Sequence, residues 1–257
     1  MNRFKRSSPY RILTCTLTLA LLSFADGLKP ILAKPETEIY LSQFEPLPEF
    51  EPLEFEPPND GAPGDREDAG SRPFCPQSDT PFTALVPVTN LGFTAAEYPT
   101  FWLYTPYPSG VVELVLKDEY TKDTVYQTQF QLPDGPGIIS LQLPDAAPPL
   151  EIGKKYRWTF DFLCHSPSDV LSVTGVILRK PLTSALQHQL AIASPQQRVV
   201  LYAQQGLWYE TLTELAQLRL ANPQDTELAA TWAALLQDPW VGLPKLAPAV
   251  LITSPTP

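Results

Sequence analysis

The stretch KYRWTFDFLC, residues 155–164, decides the fold because its side chains alternate in character at every position. Its aromatic members fall on every second residue: Tyr156, Trp158, Phe160 and Phe162. Polar residues fill the positions between them: Arg157, Thr159 and Asp161. Successive side chains of a β-strand point to opposite faces, so the pattern predicts a strand with one aromatic face in a core and one polar face in water. An aromatic face of this kind needs a second layer to cover it.

Six further runs of apolar, β-branched or aromatic residues surround this stretch. They are FTALVPV (82–88), TFWLYTP (100–106), VVELVLKD (111–118), TVYQTQFQ (124–131), GIISLQL (137–143) and VLSVTGVILR (170–179). Turn residues separate the runs, among them Asn90-Leu91-Gly92 and the segment PDGPG at 133–137. About seven short strands at regular spacing predict a mainly β fold, an immunoglobulin-like β-sandwich over residues 71–181.

The apolar periodicity becomes helical from Leu182 onward. Four segments carry it: LTSALQHQLAIAS (182–194), PQQRVVLYAQQ (195–205), WYETLTELAQLRLAN (208–222) and DTELAATWAALLQ (225–237). Asp225 is the expected N-cap of the last segment. One helix pair of tetratricopeptide type is too short for a solenoid, so we expect a helical hairpin of two to four helices, residues 182–240, packed on the sandwich. A Pro-rich tail, 241–257, should lie on the surface.

The N-terminus has the layout of a secretory signal peptide. Four basic residues precede the apolar run 12–24: Arg3, Lys5, Arg6 and Arg11. We expect cleavage after residue 25 or, alternatively, after residue 33. The apolar run is shorter than the roughly 20 residues of a membrane span, although a retained anchor is the alternative. The sequence thus predicts a periplasmic or secreted protein with no stable membrane span after cleavage.

Two cysteines, Cys75 and Cys164, remain once a signal peptide carrying Cys15 is removed. In an oxidising compartment such a pair predicts a disulfide. The closed loop would stabilise the fold by on the order of 4 kcal/mol. A metal site is the alternative, but the cysteines lie far apart and the chain has only 2 histidines. We expect neither a metal nor a cofactor.

The run FEPLPEFEPLEFEPP, residues 44–58, repeats the triplet Phe-Glu-Pro. It lies in an acidic, Pro-rich segment, 26–70, which we expect to be a disordered linker. The triplets open at Phe44, Phe50 and Phe55. A plain tether has no use for phenylalanine, so a docking arm for a partner is the second interpretation.

The aromatic stretch TFWLYTPY, residues 100–107, carries apolar groups on both faces of the predicted strand. One interpretation is an exposed platform for sugar or peptide, formed by Trp102, Tyr104 and Tyr107. The other is that the helices cover this face, where Trp208 and Trp232 could also be buried.

Charge and motifs narrow the class of function. The formal net charge of −10 argues against nucleic-acid binding, which needs a basic surface. The sequence shows no nucleotide-binding or hydrolase motif. Asp118 and Glu119 could act as paired carboxylates, but the segment KDEYTKD reads better as a solvated hairpin turn. His165 adjoins Cys164 and is expected to be a loop residue beside a half-cystine.

Several words of the sequence resemble those of the exported cyanobacterial family DUF928. They include TALVP (83–87), EYPTFWLY (97–104), PGIISLQLP (136–144) and GLWYETLTELAQLR (206–219). The likeness covers about residues 70–245 and implies export and a cyanobacterial source, without implying a reaction. The chain departs from the family pattern at Tyr98, where arginine is expected, and at His165, where an acidic residue is common.

These observations together lead to an expectation about function. We expect an exported, non-catalytic binding or scaffold module of the cell envelope, whose partner is an unknown protein or envelope component. One alternative is a carboxylate-dependent envelope hydrolase using Asp118, Glu119 and Asp161. Another is a structural subunit of an envelope complex.

Overall fold

The structure is a computed structural model that describes residues 47–48, 50, 53–58, 60–68, 75, 77–164 and 169–252. The predicted signal peptide, Phe44 and His165 lie outside the described residues. The described part is mixed α/β, with two sheets followed by four C-terminal helices.

Eight strands form the two sheets. They are β1 (Thr83–Ala84), β2 (Leu91–Thr94), β3 (Thr100–Thr105), β4 (Val111–Asp118), β5 (Thr124–Gln131), β6 (Gly137–Gln142), β7 (Lys155–Leu163) and β8 (Val170–Arg179). The smaller sheet has the order β1-β3-β6, and the larger sheet has the order β2-β8-β7-β4-β5. All neighbours pair antiparallel except β2 and β8, which are parallel.

The two sheets share one core of aromatic rings. Phe101 of the smaller sheet packs edge-to-face on Phe160 of the larger sheet, with ring centroids 5.3 Å apart. It also lies 6.0 Å from the ring of Trp158. The alternating rings of β7 are all at most 4% exposed, so the predicted aromatic core face is confirmed. Each such ring contributes about 1.5–3 kcal/mol by leaving water.

Strand β2 is absent from the seven-strand prediction. The sequence suggested a turn at Asn90-Leu91-Gly92, whereas only Asn90, with φ 53°, belongs to the turn and the strand begins at Leu91. Its partner β8 is distant in sequence, so no hairpin turn connects the two strands. The strand is also too short to be recognised by its own pattern. Gly92 is required because a Cβ there would lie 2.6 Å from Cε2 of the Tyr209 ring.

The helices are α1 (Ser184–Ile192), α2 (Pro195–Gln204), α3 (Trp208–Ala221) and α4 (Thr226–Gln237), followed by a short 3₁₀ helix (Pro244–Leu246). The predicted cap is confirmed: Asp225 Oδ1 accepts from the backbone N–H groups of Glu227 and Leu228, at 2.9 and 3.1 Å. Helix α3 contacts α2, α4 and the strands β2 and β3, so it is the helix that joins the two halves.

Three indole N–H hydrogen bonds help to fix α3 on the sheets. Trp208 Nε1 donates to the carbonyl of Leu85 at 2.9 Å. Trp158 Nε1 donates to the hydroxyl of Tyr209 at 3.0 Å. Trp102 Nε1 donates to Oγ1 of Thr213 at 3.0 Å. Each indole N–H leaves water together with its ring, so these partners remove the penalty of an unsatisfied donor.

Residues 53–58 and 60–68 form a segment that we call the N-terminal strap. It differs from the predicted disordered linker because it is folded onto the sheets: Phe55 is 2% exposed and packs edge-to-face on Trp208 at 4.9 Å. The guanidinium of Arg66 donates to the carbonyls of Val86, Val241 and Gly242. High proline content did not prevent this packing, because proline removes a backbone donor but leaves neighbouring side chains such as Phe55 and Arg66 able to make these contacts.

The predicted surface tail also packs in its described part. Val241, Leu243 and Leu246 are buried. Beyond the 3₁₀ helix, the chain runs parallel to β6, where Ile138 exchanges two 2.8 Å backbone hydrogen bonds with residues 250 and 252. The tail packs on the protein, rather than lying on its surface as predicted, because it contains closely spaced apolar side chains whose burial is favourable.

The predicted disulfide between Cys75 and Cys164 is confirmed, with Cα atoms 5.1 Å apart and a sequence separation of 89. Closing a loop of that size stabilises the fold by about 4.5 kcal/mol in the chain-entropy account. Among the described residues, no helix has the length and apolar character needed to cross a membrane.

Candidate functional site

The predicted aromatic surface is mostly interior. Trp102 is 4% exposed and Tyr107 is 6% exposed, while Tyr104 is half-buried. Helix α3 covers Trp102 through its bond to Thr213, and the ring of Tyr107 lies 4.4 Å from that of Phe162. The structure therefore agrees with the interpretation that helices cover this face, and it leaves no platform of three rings.

The predicted docking arm is engaged within its own chain. Phe55 fills the core beside Trp208, and Phe50 is half-buried against the same core. Phe44 lies outside the described residues. Phe55 is thus unavailable to an external partner while the strap stays in place.

The acidic turn after β4 is a network of paired charges. Asp118 accepts from the backbone N–H groups of Tyr120 and Thr121 at 2.8 and 2.9 Å, and its other oxygen lies 3.0 Å from Lys154 Nζ. These hydrogen bonds, the one from Thr121 first, lower the pKa of Asp118 to about 2. The guanidinium of Arg157 donates hydrogen bonds to both carboxylate oxygens of Glu119, and this lowers the pKa of Glu119.

These pairings are the opposite of what a general acid requires. A glycosidase acid needs a raised pKa so that it holds a proton near neutral pH. The pKa values of Asp118 and Glu119 are both lowered. Asp161 accepts a hydrogen bond from the hydroxyl of Ser172 on the neighbouring strand. The turn is therefore built as a structural network.

A different carboxylate, that of Glu210, stands in an unusual environment that the sequence reasoning missed. Glu210 lies in the first turn of α3, facing the chain that leaves β2. Its Oε1 accepts from the hydroxyl of Thr94 at 2.6 Å and from the backbone N–H groups of Ala95 and Ala96 at 2.9 and 3.1 Å. Its Oε2 is shielded from solvent and has no hydrogen-bond partner among the described residues. Burial raises the pKa of Glu210 above the ordinary glutamate value.

Glu210 borders a small concavity that we call the acidic notch, of about 100 Å³. Its lining is Ala96, Tyr98, Pro99, Thr100, Tyr209, Glu210, Thr213 and Glu214. Glu214, one helical turn beyond Glu210, is bonded to Arg198 at 3.1 Å. The notch therefore combines two carboxylates with tyrosine rings, a set that favours a positively charged group.

The sequence held one signal for this site. Glu210 and Glu214 are spaced by four residues in the word WYETLTEL, which places them on one face of a helix. The sequence does not indicate which segment packs against that helix face, because the loop that lines the notch lies more than a hundred residues earlier.

Two aromatic side chains in the described part are more than half exposed, and neither was selected from the sequence. Tyr120 is 94% exposed at the β4–β5 turn, and Trp240 is 52% exposed beyond α4. The backbone N–H of Val88, itself 43% exposed, donates to the carbonyl of Trp240. Single exposed rings of this kind are normal and define no groove.

The described residues contain no group of three or more His, Cys, Asp or Glu side chains arranged to hold a metal ion. No curated protein matches the chain in sequence. The sequence model of the family described as Domain of Unknown Function (DUF928) matches residues 67–251, which span both sheets and all four helices. With most of its length matched, and with both its strands and its helices inside the match, the chain belongs to the DUF928 family.

Proposed function

We propose that the protein is an exported, non-catalytic binding or scaffold module of the cell envelope, and that the acidic notch is its contact point for a positively charged group. The observation that carries this proposal is the Oε2 atom of Glu210, a carboxylate oxygen without a partner beside a concavity. A buried polar atom left unsatisfied costs about 1–3 kcal/mol, which a cationic ligand would recover.

The size of the notch narrows the ligand. A volume of about 100 Å³ is well below the 300–1,000 Å³ of sites for drug-sized molecules. It suits the end of a lysine or arginine side chain, or a primary amine on an envelope component. The formal net charge of −10 would attract such partners at long range.

We further propose that the two sheets form an immunoglobulin-like sandwich with a helical hairpin packed on it. The strand order supports this arrangement: three strands stand against five, as in sandwiches whose larger sheet gains an extra edge strand. Helix α3 would be the arm of the hairpin in contact with the sheets, as its bonds to Leu85 and Trp102 suggest.

Export is supported by the Cys75–Cys164 disulfide, because cytosolic thiols are kept reduced in most organisms. The basic and apolar N-terminal pattern and the family resemblance point the same way. Sequencing the N-terminus of the protein from the extracytoplasmic fraction tests it: a start at residue 26 or 34 is expected, and an uncleaved cytoplasmic chain would contradict export.

The hydrolase alternative has less support. The carboxylates expected to serve it, Asp118 and Glu119, have lowered pKa values. Glu210 has the raised pKa of a general acid, but the notch beside it, of about 100 Å³, is far smaller than the 300–1,000 Å³ sites that hold drug-sized substrates. A proton donor must reach its substrate within hydrogen-bond distance.

Binding is tested with a tetralysine peptide and isothermal titration of the mature chain. Glu214→Gln should weaken binding at least about fivefold, since it removes one charge from the notch. Asp79→Asn is the matched control, because it removes the same charge at an exposed position that precedes Thr83, toward the opposite end of β3 from Thr100, and it should change binding less than about twofold. Equal losses in both variants would show that the peptide senses only net charge.

The natural partner is sought by site-specific crosslinking in cells. A photoreactive amino acid at Thr100, which lines the notch, should yield one dominant adduct. The same amino acid at Asp79, an exposed position toward the opposite end of β3, serves as the control and should not yield that adduct. An identical adduct pattern at both positions would contradict the proposal.

A further inference from the structure

The four edge strands of the two sheets differ in whether another segment of the chain covers them. On the smaller sheet, β1 is covered by the strap, whose Arg66 carbonyl accepts from Ala84 N–H at 2.7 Å, and β6 is covered by residues 250–252. On the larger sheet, β2 is only 4 residues long. Covering and shortening are both ways of blunting a sheet edge against unwanted pairing.

Strand β5 is the exception. It is 8 residues long, and in the described part of the chain its backbone bonds only to β4. Its sequence, TVYQTQFQ, contains no charge and no proline, the residues that usually protect an open edge. Its one irregularity is a register shift beside Val125, so Tyr126 to Gln131 is a regular open strand.

The inner face of this strand is only partly covered. Tyr126, Thr128 and Phe130 lie opposite the buried residues Leu116, Leu114 and Val112 of β4, and therefore point to the core side. Both rings pack against the core yet remain half-buried. Gln127, Gln129 and Gln131 point to the outer face and are exposed.

The sequence of β5 is complementary to itself when read antiparallel. With Thr128 opposite Thr128 of a second copy, Tyr126 faces Phe130 and Gln127 faces Gln129, each twice. Aromatic pairs and matched polar pairs across strands each contribute about 0.2–1 kcal/mol. Shifting the register by two residues in either direction breaks both aromatic pairs, so this register is favoured over its neighbours.

The ends of the strand carry charges of opposite sign. Lys122 precedes β5, and Asp134 follows it. Antiparallel pairing brings the Lys122 end of one copy to the Asp134 end of the other, so charges of opposite sign approach at each end, although Lys122 also contacts Glu119 of its own chain at 3.3 Å. This complementarity favours a second copy over an unrelated extended segment, which would have to reproduce both the rings and the charges.

We propose that β5 pairs with β5 of a second copy across a two-fold axis at Thr128, which joins two five-stranded sheets into one continuous sheet. The contact is isologous, so it closes on itself and stops at a dimer. Neither the covered edges nor the acidic notch take part in it.

The test uses two double variants of the mature chain that differ at one position. Gln127→Lys with Gln129→Lys places lysine opposite lysine in the dimer. Gln127→Glu with Gln129→Lys places glutamate opposite lysine. Both glutamines are exposed, and in both variants the lysine at 129 faces Glu113 on β4, so within the monomer the variants differ only in the charge at residue 127.

Sedimentation velocity over a concentration series measures the outcome. We expect the unchanged chain to dimerise, the lysine–lysine variant to weaken the dimer by at least about tenfold in Kd, and the glutamate–lysine variant to retain it. A monomeric unchanged chain at its highest soluble concentration would overturn the proposal. So would a dimer that both variants leave untouched, because it would use another face.

Discussion

Two carboxylates of this protein make similar hydrogen bonds and titrate in opposite directions. Glu210, where α3 meets the chain leaving β2, accepts three hydrogen bonds and has a raised pKa because burial dominates. Asp118, at the β4–β5 turn, accepts two backbone hydrogen bonds and contacts Lys154, and its pKa falls to about 2. The difference shows that the number of hydrogen bonds does not by itself set the sign: at Glu210 burial outweighs the hydrogen bonds, whereas at Asp118 the hydrogen bonds from Thr121 and then Lys154 outweigh burial.

The same contrast separates the two regions as structures. The helix–sheet junction around Trp208 and Glu210 is interior and depends on packing. The turn that follows Asp118 is at the surface and depends on charge pairs, although Asp118 itself is only 8% exposed. Substitutions in the first region should therefore lower the free energy of unfolding by more. The pH dependence of stability should also have opposite signs in the two regions.

The largest effect is expected from Phe55→Ala in the junction. Phe55 is 2% exposed and packs on Trp208, so its removal leaves a cavity and should lower the free energy of unfolding by about 3 kcal/mol. In a domain of this size that corresponds to a fall of roughly 6–12 °C in Tm. Denaturant unfolding of the mature chain with its disulfide intact measures it.

Phe50→Ala is the matched control for Phe55→Ala. It opens another Phe-Glu-Pro triplet but is only half-buried, so its loss should be clearly smaller. If the two variants lose the same small amount, the strap does not hold Phe55 in the core in solution.

Most of the fold could be predicted from the alternation of apolar and polar residues in the strands and from the helical periodicity of apolar residues. The strand at 155–163 and the Asp225 cap follow from local patterns that need no knowledge of the partner. Strand β2 could not be found, because four residues that pair in parallel with a distant strand carry no local signal. The strap was missed for a related reason: composition predicted disorder, while Phe55 and Arg66 find partners only in the folded chain.

The candidate site was less predictable than the fold. The sequence drew attention to Trp102 and Tyr107 because they are aromatic, and the structure uses them as filling between layers. Glu210 looked like one more acid in the first turn of a helix. Its distinctive property is the burial of its carboxylate against the loop at Thr94, and this depends on a contact between segments far apart in sequence.

The second prediction concerns Glu210→Gln and pH. The raised pKa means that the folded chain keeps a proton that the unfolded chain, with an ordinary value of 4.5, has already released. The stability from this group is full below about pH 4.5 and is lost as pH rises through the folded pKa. Glutamine keeps the acceptor oxygen and never ionises, so the variant should gain stability relative to the unchanged chain as pH rises.

Urea unfolding at a series of pH values measures this difference. At the acid end the two proteins should agree within about 1 kcal/mol, because both then carry a neutral side chain with the same acceptor. Glu214→Gln is the control, because it removes a carboxylate from the same notch but leaves the buried hydrogen bonds of Glu210 in place. A constant difference across the series would mean that Glu210 does not retain its proton in the folded state.

The smallest effect is expected at the surface turn, between Glu119 and Arg157. Their charged atoms meet at 2.7 and 2.8 Å, but both side chains are partly exposed, so a double-mutant cycle with Glu119→Gln and Arg157→Gln should give a coupling of about 1 kcal/mol or less. The cycle is needed because Arg157 also donates to the carbonyl of Pro63 in the strap. Since the pKa of Glu119 is lowered, the coupling should be present above the unfolded value of 4.5 and fade as pH falls through the folded value. Added salt should weaken it too, and a coupling indifferent to both pH and salt would show that packing, rather than charge, holds this turn.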